Sequence, residues 1–139
     1  MSDFTMFRGI VEVVGDTTVL AVDTIAHVRP EEDAGRVVMT GSHGGVSSGE
    51  YAARAPLAAV FFNDAGIGKD EAGVAGLGLL SKLGIAAGAV SHESAEIGLG
   101  RETWGGVISA LNPQAEAAGF KRGEPVRAAV HRIFGKGEA

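Results

Sequence analysis

Three short apolar runs, residues 37–40, 57–62 and 85–90, each break off into a polar cluster containing glycine or histidine, and this recurrence constrains the fold more than any other property of the chain. Val37, Val38, Met39 and Thr40 give way to Gly41, Ser42, His43, Gly44 and Gly45, and the segment continues through Gly49 to a helix-compatible stretch opening at Glu50 and Tyr51. Continuous apolar runs of this length between turn formers read as strands buried on both faces of a sheet. A strand joined to the next through a helix pairs with it in parallel. The expectation is an α/β fold with a mostly parallel central sheet.

The clearest unit spans residues 57–90. Leu57 to Phe62 forms a strand that ends in Asn63, Asp64, Ala65, Gly66, Ile67 and Gly68. A helix is expected over 70–83, with Asp70 as its cap, Glu71 in its first turn, a stripe made by Val74, Leu77, Leu79, Leu80 and Leu83, and Gly84 as its stop. Gly73, Gly76 and Gly78 inside it each cost about 1 kcal/mol relative to alanine, so close packing, expected on the sheet, has to compensate. Residues 85–90 then complete a βαβ unit and run into Ser91, His92, Glu93 and Ser94.

Upstream, residues 10–14 and 17–22 around Gly15 and Asp16 read as a β-hairpin. A helix capped by Asp16 and running to His27 is the alternative, which Thr17, Thr18, Val19 and Val22 disfavour. Pro30, Glu31, Glu32, Asp33 and Gly35 mark a loop or single turn, with His27 and the acids at the surface. Downstream, Gly98, Gly100, Gly105 and Gly106 surround Arg101 and Trp104 in what reads as a mobile flap. Residues 107–111 lead to Asn112 and Pro113, a cap and first residue for a short helix that Gly119 ends. A last helix opens near Glu124 and Pro125, places Val126, Ala129, Val130, Ile133 and Phe134 on one face, and stops at Gly135. All 139 residues are expected to form a single, three-layer-like α/β domain with helices on the faces of the sheet, frayed at 1–8 and 136–139.

Composition narrows the function classes. The net charge is −5 and no basic cluster exceeds Lys121 and Arg122, so no nucleic-acid partner is expected. Cysteine is absent, which removes disulfides, thiolate catalysis and cysteine metal sites. The longest apolar stretch, 74–90, is interrupted by Ser81, Lys82 and several glycines and does not read as a membrane span. Met1, Ser2, Asp3 and Phe4 offer neither the charge nor the apolar core of a signal peptide, so a cytoplasmic protein is expected. Glycine, at 22 residues, is about twice its usual share. With few charges and a positive mean hydropathy, this composition leaves apolar surface that self-association would cover, and a homo-oligomer is expected.

If the three strands are parallel neighbours, their polar ends share the edge at which α/β sheets bind ligands, above all where strand order reverses. His43, Asp64 and His92 are then the candidate catalytic residues. Ser42, Gly44, Gly45, Asn63, Gly66, Ser91, Glu93 and Arg101 are the candidate ligand-binding ones. Backbone N–H groups of 44–49 would hold a carbonyl, carboxylate or phosphate oxygen, while His43 and His92, oriented by Asp64 or Glu93, move protons. Arg101 would pair with a substrate carboxylate.

Each residue also has a structural reading. His43 can cap a helix or bond a carbonyl, Asn63 and Asp64 can form a turn, and Ser91, His92 and Glu93 can cap the segment after them. Gly66 and Gly68 begin a dinucleotide fingerprint whose third glycine position is Glu71, a carboxylate where pyrophosphate would lie. Gly68 and Lys69 lack the hydroxyl residue of a P-loop, and no nucleophile elbow is present. No close-spaced ligand pair supports a metal, so neither metal nor cofactor is expected. The resulting expectation is a small cofactor-independent enzyme, of hydrolase, lyase or isomerase type, acting on a small polar or anionic metabolite. The alternative is a non-catalytic metabolite- or anion-binding module that self-assembles.

Overall fold

The computed structural model describes residues 6–135, except for the side chain of Asp70. The expected fraying of 1–5 and 136–139 lies outside the described residues, and Arg8 already belongs to a strand. Six strands form one mixed sheet: β1 (Arg8–Val14), β2 (Thr17–Val22), β3 (Val37–His43), β4 (Ala59–Asn63), β5 (Ala86–Val90) and β6 (Ile108–Leu111). Their order in space is their order in sequence. β2 through β5 are parallel, while β1 and β6 run antiparallel to their neighbours. The N-terminal hairpin and the parallel centre are therefore as expected, but strand order nowhere reverses.

Among the described residues, five α-helices accompany the sheet: α1 (Val46–Ala52), α2 (Gly76–Lys82), α3 (Gly100–Trp104), α4 (Pro113–Ala118) and α5 (Val126–Phe134). Alternation along the strands divides the core in two. Val19, Ala21, Val37, Met39, Ala59 and Phe61 pack with Trp104 of α3 and with Val126, Ala129 and Val130 of α5. Leu20, Val22, Val38, Val60 and Phe62 pack with Ala52 of α1 and with Leu77 and Leu80 of α2. In the middle of β5 a side chain has no room: a Cβ on Gly88 would come within 2.7 Å of both Ala110 O and the Phe61 ring. That ring in turn sits 4.9 Å from the ring of Phe120.

Several local expectations are corrected. The strand expected at 37–40 continues through His43, and α1 begins at Val46 instead of near Glu50, so the anticipated loop 41–49 shrinks to Gly44 and Gly45. Gly41 serves close approach, since a Cβ there would lie 2.3 Å from the backbone of Gly98 and Leu99. The helix expected over 70–83 is interrupted, with a 3-10 turn at Lys69–Glu71 and α2 starting only at Gly76. The cause is docking against the start of α1. Gly44 N donates to Gly73 O and Gly76 N donates to Gly44 O, both at 2.8 Å, and a Cβ on Gly76 would lie 2.2 Å from Gly45 O. Compensation for Gly73 and Gly76 thus comes from a neighbouring backbone instead of the sheet, whereas Gly78 faces open space.

Segment 97–106 is no free flap. Thr103 Oγ1 donates to Thr40 O at 2.8 Å and Gly100 N donates to Asp23 Oδ1 at 3.0 Å, which fixes α3 across β2 and β3. Asp33, expected at the surface, is 0 % exposed. Its carboxylate accepts two hydrogen bonds from Arg8 at 2.8 and 2.9 Å, one from Arg36 at 3.0 Å and one from Arg29 N at 2.6 Å. Residues 107–111, with no strand expected, supply β6.

Candidate functional site

Because β3, β4 and β5 are parallel neighbours, their carboxyl ends form one row. His43 closes β3 opposite Asn63, and Asn63 stands opposite Val90. Past these ends the chain turns sharply, and there the polar side chains collect.

Asp64 is the centre of the arrangement. Its backbone N–H donates to Val90 O, tying the turn to β5, and its side chain is buried at 4 % residue exposure. Oδ1 accepts from Gly66 N at 2.8 Å and from His92 N at 3.0 Å, while Oδ2 accepts from Ser109 Oγ at 2.6 Å. The His92 ring nitrogen Nδ1 lies 3.4 Å from Oδ1. Burial opposes ionisation of this carboxyl, but the hydrogen bonds from Ser109, Gly66 and His92 together with the His92 charge outweigh it and hold Asp64 below the ordinary carboxylate range. This buried carboxylate thus stays ionised, and among the described residues no arginine or lysine is its partner. The His92 side chain is 52 % exposed, its ring resting beside Gly66 and its Nε2 without a hydrogen-bond partner among the described residues.

The turn after Asp64 stores strain. Ala65, Gly66, Ile67 and Gly68 have φ of 52°, 77°, 68° and 74°, so two non-glycine residues, one of them β-branched, occupy the left-handed region. Ala65 N donates to Asn63 Oδ1 and Ile67 N to Asp64 O, which holds the turn in place.

The other expected site residues separate into two groups. His43 is exposed and lines a depression of about 220 Å³ with Ala65, Ile67, Gly68, Ala72 and Gly73, on the far side of the strained turn from His92. Its Nδ1 accepts from Gly45 N, so in the neutral ring the proton sits on Nε2. The remaining groups are engaged inside the fold. Gly44 N is spent on Gly73 O, Ser42 Oγ accepts from Ile25 N, Asn63 Nδ2 donates to Ala95 O, and Ser91 Oγ accepts from Glu93 N. Glu93 is exposed beside His92. Arg101 stacks on Phe7, its guanidinium carbon 3.9 Å from the ring centroid, toward the β1 end of the sheet and away from Asp64.

Ser109 has no place in the sequence reading. The signal available was a single hydroxyl inside the apolar run 107–111. Among the described residues, no group of three or more His, Asp and Glu side chains is placed to hold a metal ion, and no helix is long and apolar enough to cross a membrane. Compared with protein-family models, with curated proteins and with solved structures, the chain matches none of them.

Proposed function

We propose that the chain is a small cofactor-independent enzyme of hydrolase, lyase or isomerase type that moves a proton on a small polar or anionic metabolite through His92. The observation that supports this is the pair His92 Nδ1 and Asp64 Oδ1, 3.4 Å apart, with the carboxylate buried and the imidazole half in solvent. A carboxylate behind Nδ1 favours the tautomer that leaves Nε2 as the outward base, and it stabilises the imidazolium formed when Nε2 takes a proton. A small rotation of the ring closes the gap, and catalytic hydrogen bonds of this kind commonly tighten when substrate binds. His43, across the turn, is the second imidazole within the same row of strand ends, and its Nε2–H is a donor for a substrate oxygen. Self-association belongs to the same reading. Ile10 and Val13 on β1 are 55 % and 59 % exposed, and among the described residues this edge strand pairs only with β2.

A competing reading, a non-catalytic module that binds a metabolite or anion, draws on the engaged state of residues 42–45 and 91–94, whose polar groups largely serve caps and turns. A thermal-shift screen of small carboxylates, amides and phosphates, followed by NMR of each stabilising compound, separates the two. The enzyme reading expects a compound that the wild-type protein consumes and that folded His92→Ala and Asp64→Asn do not. Consumption by His92→Ala at the wild-type rate overturns it, and stabilisation without consumption establishes the binding module instead.

A further inference from the structure

The side chain that orients Asp64 comes from an irregularity in β6. In the antiparallel pairing of β5 with β6, Gly88 stands opposite Leu111 and Ala89 opposite Ala110, but Val90 stands opposite Ile108. Ser109 is the extra residue, a bulge. Its effect shows in the packing. Ile108 and Leu111 join one apolar cluster and Ala110 packs against the other, whereas regular alternation would put Ile108 and Ala110 on the same face. The bulge thereby frees Ser109 from the alternation and aims its hydroxyl at the end of β4, where it meets Asp64 Oδ2 at 2.6 Å.

We propose that Ser109 is a positioning residue whose hydroxyl fixes the carboxylate plane of Asp64 so that Oδ1 is presented to Nδ1 of His92. The inference rests on the reading of His92 and Asp64 as a proton-transfer pair. Among the described residues, the backbone donors to this carboxylate, Gly66 and His92, converge on Oδ1, and the same oxygen faces the imidazole. Oδ2 has Ser109 alone among the described residues. Without that anchor the carboxylate is free to turn about its Cβ–Cγ bond and share either oxygen with the backbone donors, so the direction presented to the ring is lost. Ser109 Oγ lies 3.4 Å from Ala89 O as its alternative acceptor, so the shorter bond to Asp64 is the one that sets its direction. Being neutral, a hydroxyl supplies direction without cancelling the negative charge that the imidazolium needs.

The test reads the tautomer of His92 from its ring-nitrogen chemical shifts in ¹⁵N-labelled protein, at a pH where the imidazole is neutral. In the wild-type protein the proton is expected on Nδ1. In Ser109→Ala the ratio of Nδ1–H to Nε2–H is expected to fall about threefold, the scale of one lost neutral hydrogen bond, and Ser109→Thr is expected to restore it. Should Ser109→Ala not fold, Ser109→Cys keeps the volume with a much weaker donor and is read in the same way. A wild-type ratio that persists in Ser109→Ala or Ser109→Cys overturns the role of Ser109 and leaves the pair standing. A wild-type protein whose His92 carries its proton on Nε2 overturns the pair and the role of Ser109 together.

Discussion

Two of the three buried carboxylates among the described residues, Asp33 and Asp64, are held by the fold in opposite ways. Asp33 meets the guanidinium of Arg8 with both oxygens, adds Arg36 and accepts from Arg29 N. Burial pushes its pKa up, and these cations and hydrogen bonds more than reverse that. Asp64 is buried to a similar degree and also ends below the ordinary carboxylate range, but its partners are a hydroxyl, two backbone N–H groups and an exposed histidine. Guanidinium groups stay charged at any physiological pH, so the Asp33 cluster has one state. Asp64 has in His92 a partner that can gain and lose a proton, and an aqueous face on which to do so. The backbone around each site differs in the same sense. The segment beside Asp33 has positive φ only at Gly35, while the turn beside Asp64 places Ala65 and Ile67 there. A satisfied carboxylate locks a loop; one held by neutral donors and a titratable neighbour leaves chemistry open.

Activity is where the two sites should differ most. Against a compound that the wild-type protein consumes, His92→Ala and Asp64→Asn are expected to lower kcat by about 10²–10⁴-fold, the usual scale of a lost general acid-base group. Asp33→Asn is expected to leave kcat per folded molecule unchanged. Equal losses from all three would erase the distinction.

Stability should reverse the ranking. Asp33→Ala leaves Arg8 and Arg36 without their buried counter-ion and is expected to cost about 3 kcal/mol in urea denaturation, toward the low end for a broken buried pair because both arginines retain some solvent contact. Asp64→Asn is expected to cost about 1–2 kcal/mol, since neutral partners lose less, and His92→Ala under about 1 kcal/mol. A larger loss for His92→Ala than for Asp33→Ala would assign His92 a structural role.

Acid sharpens the same comparison. Both carboxyls are held below their ordinary range in the folded state, so the stability each contributes is complete above that range and is lost as pH falls through it toward the depressed folded values. Urea denaturation across this acid window should show a shallower decline in Asp33→Asn and in Asp64→Asn than in the wild-type protein. An unchanged slope in either variant would mean that the carboxyl concerned titrates alike in folded and unfolded chains.

The smallest effect concerns the turn. Replacing a β-branched residue by glycine ordinarily destabilises, but at Ile67 relief of about 1–2 kcal/mol of left-handed strain offsets the extra chain entropy of glycine. Ile67→Gly is expected to stay within about 1 kcal/mol of the wild-type protein. A loss well beyond that would show that the Ile67 side chain, and not only the backbone bonds of Asp64, holds the turn.

Strands β3, β4 and β5 were legible because each is built on a continuous apolar run, the pattern that burial on two faces favours, and the polar ends of those runs located the edge that carries Asp64 and His92. Where each strand stopped was not legible. Gly41 looks like a loop residue in sequence, yet it lies in a strand beneath the backbone of Gly98 and Leu99, a neighbour that no local pattern announces. The partners of the two carboxylates were hidden for the same reason. Arg8 lies 25 residues from Asp33, and Ser109 lies 45 residues from Asp64 on a strand of four residues whose bulge breaks the alternation that would have marked it.

Because spatial order follows sequence order, every strand pairs with the one synthesised just before it, and no place in the sheet is held open for a later strand. The face covered by α1 and α2 can close once residue 90 has emerged. The opposite face waits for α3 and α5, whose ties reach far back in the chain, from Gly100 to Asp23 and from Arg127 to Glu12. During synthesis the growing chain therefore carries an apolar sheet surface with nothing over it until α3 and α5 are made, and a ribosome pause or truncation before α3 should leave a species that aggregates, although most of its strands are already in register.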